Sequence, residues 1–177
     1  MPKTAAEKIQ AFDYKSFITD VPDFPKAGIL FRDISPLLRQ HYTQTITGLA
    51  ELFSDKEWAE IDYIAGIESR GFILAAGLAF YKQKGFVKLR KPGKLPGNTH
   101  KVSYGLEYGN DALEMQVGEG RILLVDDVLA TGGTLQAAAD LTQATGHEVK
   151  GFALLVNLSH LNNFVWQGIK PRCLVEY

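Results

Sequence analysis

A single cysteine in 177 residues, Cys173, excludes an intramolecular disulfide framework and fits a reducing compartment. It stands in the apolar run Cys173-Leu174-Val175, where packing is the expected role. No stretch approaches the roughly 20 apolar residues that span a bilayer, and the polar, charged start of the chain has no signal-peptide apolar core. An excess of one charge is missing too: 19 Lys and Arg face 20 Asp and Glu, for a formal net charge of −1. That balance gives no support to a nucleic-acid or membrane partner. His41, His100, His147 and His160 show no metal-ligand spacing. Internal repeats and low-complexity linkers are absent. What remains is 46% apolar and 22% charged, ordinary for a globular protein and long enough for one domain with a real core. The expectation is a cytoplasmic protein with a single domain over residues 1–177.

Apolar runs of strand length alternate with helical patterns. Tyr63–Ile67, Phe86–Leu89, Ala112–Val117, Arg121–Val125, Val149–Val156 and Leu174–Tyr177 read as strands. Pro36–Phe53, Phe72–Tyr81 and Leu135–Ala144 read as helices. Thr4–Ile18 has looser helical spacing and is ended by Val21-Pro22-Asp23-Phe24-Pro25. Ile29–Ile34 reads as a short extended piece, and Trp58 and Trp166 as packing residues. The alternation predicts an α/β fold, a mainly parallel central sheet flanked by helices. Ligands of such sheets gather at the carboxyl ends of strands, near a switch in strand order. Glu68–Gly71, Arg90–Lys94 and Asp126–Thr134 all follow predicted strands, so their charges and glycines fall on one rim.

The run Ile122-Leu123-Leu124-Val125-Asp126-Asp127-Val128-Leu129-Ala130-Thr131-Gly132-Gly133-Thr134 carries the strongest signal. Strand, acidic pair, glycine loop and helix start suit a sugar phosphate. Backbone N–H groups at the helix start can hold the phosphate, and the carboxylates can accept hydrogen bonds from sugar hydroxyls. No Lys follows the glycines, which excludes the nucleotide-triphosphatase loop, and their adjacency excludes the dinucleotide fingerprint. Gly132 and Gly133 remove Cβ atoms from the phosphate's path. Thr131 and Thr134 offer hydroxyls as helix caps or phosphate donors.

From Val125 to Thr134 the chain resembles the phosphoribosyl diphosphate motif of the type I phosphoribosyltransferases, in the branch that uses adenine. The resemblance runs from about Pro22 to Leu158. It implies that family's fold, with a small N-terminal hood at about residues 1–35 and a flexible lid at about 95–110. Asp126 and Asp127 then face the ribose hydroxyls, and Ala130, Thr131, Gly132, Gly133 and Thr134 wrap the 5′-phosphate. Glu68-Ser69-Arg70-Gly71, by itself a surface turn, resembles the pyrophosphate loop, with Arg70 its anion ligand; some members hold a non-proline cis peptide there. Arg90-Lys91-Pro92-Gly93-Lys94-Leu95-Pro96 is similar to the family's basic turn, which assigns Arg90, Lys91 and Lys94 to pyrophosphate. Preorganised cations there would stabilise the charge that the leaving group develops.

Asn98–Gly109 reads as a long polar loop with Gly105 and Gly109 as joints, the usual build of a lid. Tyr104–Gly109 resembles the family's lid motif, which implies that Tyr108 closes the site and Glu107 exchanges the purine proton. Related 6-oxopurine enzymes carry an Asp where this chain has Ala130, so the proton leaving the base needs another acceptor, and Glu107 is the nearest by analogy. Phe24–Asp33 resembles the adenine-side hood, with Leu30, Phe31 and Arg32 lining the pocket and main-chain groups of Leu30 and Arg32 reading the base edge. The neutral Asn157, where 6-oxopurine enzymes tend to carry Lys, also favours a 6-aminopurine. The implied reaction joins adenine to phosphoribosyl diphosphate, giving AMP and diphosphate in purine salvage, with Mg²⁺ bound mainly through the diphosphate substrate. A homodimer follows by resemblance alone. Ala27 departs from the family's usual Pro, and Val117–Arg121 is shorter than in many relatives, which predicts a tight turn. Ser159–Tyr177 carries no functional signal. The rivals are an enzyme for xanthine, hypoxanthine or guanine, and a non-catalytic sensor of phosphoribosyl diphosphate. The sensor needs a DNA-binding segment, and neither length nor charge leaves an obvious place for one.

Overall fold

The structure is a computed structural model that describes residues 12–106 and 109–177. A 3-10 turn at Tyr14–Phe17 leads into β1 (Thr19–Pro22), which pairs antiparallel with β2 (Leu30–Asp33). There follow α1 (Ser35–Glu51), α2 (Asp55–Ala59), β3 (Tyr63–Ile67), α3 (Arg70–Lys82) and β4 (Gly85–Leu89). β5 (Thr99–Leu106) and β6 (Gly109–Gln116) form an antiparallel hairpin. The remainder supplies β7 (Gly120–Leu129), α4 (Gly133–Ala144), β8 (His147–Asn157), a 3-10 turn at Ser159–Leu161 and β9 (Arg172–Glu176).

Strands β4, β3, β7, β8 and β9 lie in that order, each parallel to its neighbours. The side-chain period of two distributes β7 between two cores. Leu123 and Val125 face the layer that holds Leu37, Leu49, Leu74 and Leu78 of α1 and α3. Ile122 and Leu124 face the layer built by Leu135, Ala138 and Leu141 of α4, closed by Leu113 and Met115 of β6. Because both faces are covered, the central strands read as continuous apolar runs. No helix among the described residues is long and apolar enough to cross a membrane.

The predicted α/β architecture holds, with several local differences. The sequence expects a helix through Ile18; the described part of it is the short 3-10 turn, because Thr19–Pro22 is drawn into pairing with β2. Residues before Phe12 lie outside the described residues. The polar stretch at 98–109 is not a loop: Thr99–Leu106 is a full partner of Gly109–Gln116, and the strand expected at 112–117 belongs to this hairpin rather than to the central sheet. Helix α2 was not anticipated. Ser54 and Glu57 form its capping box, Ser54 Oγ accepting from Glu57 N–H and Glu57 Oε2 accepting from Ser54 N–H at 2.8 Å. Cys173 packs against the α4-side core as expected. Burial, with nearby Glu176, pushes its thiol up to about 11, so little thiolate exists at neutral pH.

Candidate active site

The order of strands reverses between β3 and β7: the chain steps outward from β3 to β4 on one side and from β7 through β8 to β9 on the other. The crevice beyond the carboxyl ends of β3 and β7 is therefore the expected ligand site of such a sheet. Both strands lead directly into a helix there, at Arg70 and at Gly133.

The acidic pair lies inside β7 rather than at its end, because pairing with β8 continues through Asp126↔Leu154 and Val128↔Val156. Asp126 Oδ1 accepts the Asp127 N–H at 2.9 Å. Burial, then the adjacent Asp127 charge, raise the Asp126 carboxyl well above the usual carboxylate range. Arg70 Nε stands 2.8 Å from Asp127 Oδ2, yet its N–H does not align, and that buried oxygen has no hydrogen-bond partner. That oxygen is held in the Arg70 ion pair, and Asp126 is the member of the acidic pair that lines a cavity. Arg70 is the first residue of α3 rather than a loop residue, and its guanidinium also lies 4.9 Å from the Phe31 ring centroid. Close approach of α3 to the pair depends on Gly71: a Cβ there would stand 2.9 Å from both Asp126 Oδ1 and Val125 O.

Gly132 is the N-cap of α4 at φ +94, a conformation that glycine adopts without strain. No side chain caps this helix, so neither Thr131 nor Thr134 takes the cap role open to it from sequence. The first N–H groups of α4 are left for a ligand. Ala130, Thr131, Gly132, Gly133 and Thr134 line a cavity of about 130 Å³ together with Asp126.

The Glu68–Ser69 peptide is cis. Glu68, at the end of β3, gathers the basic turn: it accepts from Lys94 Nζ at 2.6 Å, from the Lys91 N–H at 2.8 Å and from Arg90 Nε at 3.3 Å. Burial opposes its ionisation, but these donors outweigh it and hold the carboxyl at about 2. Glu114 of β6 grips the same turn, Oε1 accepting the Lys94 and Leu95 N–H groups at 2.6 and 2.7 Å. Lys91 Nζ pairs with Asp111 of the hairpin. The three predicted cations thus come together, each held by a carboxylate except for the exposed part of its head. Glu114 and Asp111 were not singled out from sequence; a carboxylate amid Ala112-Leu113-Glu114-Met115 was the available signal. Tyr104, from the facing strand, is pushed up by burial; the neighbouring Gly105 O stands 3.3 Å from where a Cβ of Gly133 would be, which brings the hairpin onto the glycine loop. Glu107 and Tyr108 lie outside the described residues.

A second cavity, of about 550 Å³, adjoins the first through Ala130 and Thr131. Leu30, Phe31 and Arg32, the hood residues of the sequence analysis, line it; Arg70, expected at pyrophosphate, lines it as well, and Leu158, His160 and Leu161 form a wall that the sequence did not reveal. The Arg32 guanidinium pairs with Asp20 and stacks 3.9 Å from the Tyr177 ring centroid, so its charge is spent within the protein. Asn157 turns its Oδ1 to Asn162 Nδ2 at 3.1 Å.

A phosphate-sized cup with a carboxylate pair, joined to an apolar pocket under a small hood, is the layout of a phosphoribosyltransferase. The family of the phosphoribosyl transferase domain matches residues 37–163. The adenine phosphoribosyltransferase of Hydrogenovibrio crunogenus is 55% identical over 162 residues, covering 91% of this chain and 94% of its own length. The crystal structure of adenine phosphoribosyltransferase from Thermoanaerobacter pseudethanolicus superposes with a TM-score of 0.82 at 37% identity, over 96% of this chain and 99% of that one. The Saccharomyces cerevisiae enzyme, complexed with an imino-altritol bisphosphate and adenine, gives a TM-score of 0.79 at 33% identity over 95% of this chain and 97% of its own. This chain belongs to the adenine phosphoribosyltransferase family.

Proposed function

We propose that this chain transfers the phosphoribosyl group of 5-phosphoribosyl 1-diphosphate to adenine, giving AMP and diphosphate in purine salvage. The observation that carries the reading is the shared wall of the two cavities: Ala130 and Thr131 border both the glycine-loop cup and the apolar pocket. A 5′-phosphate seated in the cup points its ribose along that wall toward a base in the pocket. The acidic pair receives the ribose hydroxyls, Asp126 from the wall of the cup and Asp127 beside it in the Arg70 ion pair. Arg70, Arg90, Lys91 and Lys94 face the diphosphate. Cleavage of the C1′–O bond leaves an oxocarbenium-like ribose centre while negative charge grows on the leaving group, and fixed cations stabilise that change.

Leu30, Phe31 and Arg32 belong to the base side, in a hood of about residues 1–35, and the hairpin at about 95–110 acts as the lid, both parts of a single domain over 1–177. Excluding water matters because water would otherwise capture the activated sugar. Glu107 takes the proton that adenine loses and Tyr108 helps to close the site; their assignment rests on the lid motif and on the absence of a carboxylate at Ala130.

The oxygen donors of the acidic pair suit Mg²⁺, and Asp126, which lines the cup, is the member of the pair that would face it. We read the ion as carried in mainly by the diphosphate substrate. When bound, Mg²⁺ supplies charge neutralisation on the phosphate oxygens. We also read the protein as a cytoplasmic homodimer without nucleic-acid or membrane partners. The decisive assay offers phosphoribosyl diphosphate, Mg²⁺ and each purine base in turn. AMP from adenine, with little product from hypoxanthine, guanine or xanthine, is expected; no AMP would overturn the reading.

A further inference from the structure

The segment after β8 carried no signal in the sequence, yet one of its side chains spans both halves of the site. Asn162 Nδ2 lies 2.8 Å from Ala130 O, 3.0 Å from Leu158 O and 3.1 Å from Asn157 Oδ1, and its Oδ1 accepts the Phe164 N–H at 3.1 Å. Three acceptors around one nitrogen fix the orientation of the amide: only NH₂ fits among them. The Phe164 ring that follows packs on the glycine loop, its Cδ2 3.1 Å from where a Cβ of Gly132 would be.

Ala130 opens the phosphate loop, and Leu158 begins the wall of the base pocket that His160 and Leu161 continue. One amide therefore sets the separation between the place that grips the sugar's 5′ end and the wall that supports the base. We propose that Asn162 is a positioning residue for the transfer, holding the phosphate loop and the base wall at the spacing that brings the purine nitrogen onto C1′. The role rests on the reaction proposed above. Its energetic logic is alignment: each substrate can still bind its own half when the tie is cut, but the near-attack geometry between them is lost. A misplacement on the order of 1 Å can slow chemistry about a hundredfold.

The test compares wild type, Asn162→Ala and Asn162→Asp in single turnover, with enzyme in excess over phosphoribosyl diphosphate, adenine saturating and Mg²⁺ present. Asp keeps the shape and the bond to Phe164 but sets an oxygen against three acceptors. We expect the single-turnover rate constant to fall roughly tenfold or more in both variants, while KM for each substrate moves by less than about threefold. A residue that only holds the fold together would lower Tm and the active fraction without moving that rate constant. An unchanged rate constant in a folded variant, or a loss carried wholly by KM, would overturn the proposal. If both variants fail to fold, Asn157→Ala removes one acceptor and should still slow the single turnover, by about two- to fivefold; no slowing would again refute it. Independently of turnover, amide hydrogen exchange at Thr131–Thr134 should rise in whichever variant folds, and unchanged protection counts against the tie. Failure of wild type to make AMP would sink the reaction itself, a result separate from either outcome.

Discussion

Two adjacent aspartates have unequal surroundings, and the difference is measurable. Asp126 is enclosed beside the Asp127 charge and holds its proton above the ordinary range. A carboxyl whose folded pKa is raised contributes its stability fully below the unfolded pKa and loses it as pH rises through the folded one. Asp126→Asn keeps an acceptor for the Asp127 N–H but cannot ionise. Its Tm relative to wild type should therefore climb as pH rises above the ordinary carboxylate range. The same substitution should lower kcat/KM by roughly two- to tenfold, the range for an altered hydrogen bond between neutral groups. A Tm difference that stays flat with pH would show that Asp126 is not strained by its neighbour. Gly71 is the second case. Gly71→Ala places a Cβ against Asp126 Oδ1 and Val125 O, and neither a carbonyl on a central strand nor a caged carboxylate can move freely. Overpacking of this kind costs about 1–3 kcal/mol, and urea titration should find it together with reduced activity. Asp126 and Asp127 were legible because carboxylates before a glycine loop have few structural reasons to be there. Gly71 reads in the sequence only as part of a loop, since what it must avoid is remote in sequence.

Among the elements, the hairpin shows where the pattern was present and unread. Val102 and Tyr104 are half-buried while Lys101, Ser103 and Gly105 are exposed, a period of two that polar composition concealed. Its partner strand carries the carboxylates that the basic turn needs: Glu114 holds the Lys94 and Leu95 amides, and Asp111 holds Lys91. The cations at 90, 91 and 94 were visible in the sequence. Their anchors were not, because a backbone amide accepted by a side chain 19 or 20 residues away leaves no local signature. Asp111→Asn should free the hairpin from the turn, raising amide exchange along β5 and β6 with little change in global Tm. Glu114→Ala should loosen the turn itself and raise KM for phosphoribosyl diphosphate by roughly tenfold, as misplaced binding groups do, while KM for adenine holds. If both constants rise together, Glu114 supports the whole rim rather than the turn.

The whole molecule follows from strand order. Alternating apolar strands and helices made the parallel sheet legible, and the switch between β3 and β7 then fixed where the three charged loops meet. What the order of elements cannot encode is the return of the chain after β8, which lays Leu158, His160, Leu161 and Asn162 against the loop after β7; that segment has neither periodicity nor a motif. Helix α3 and its neighbours keep large apolar side chains outside the cores. Ile73, Phe80 and Tyr81 of α3 are exposed, Phe80 almost fully at 89%, with Phe86 of β4 and Tyr42 of α1 also in contact with solvent. Tyr42 is fixed in place, its hydroxyl donating to Ile73 O at 2.7 Å. Ile73 and Phe80 stand seven residues apart, two turns of one helical face. Large apolar side chains grouped this way mark an interaction surface, and a homodimer whose two copies bring α3 together would cover it. Light scattering should give about twice the 19.6 kDa chain mass. Phe80→Glu, which adds charge where a partner's apolar face would sit, should shift the protein toward monomer at micromolar concentration without lowering the monomer's own helix content. A variant that remains dimeric would place the contact on another face.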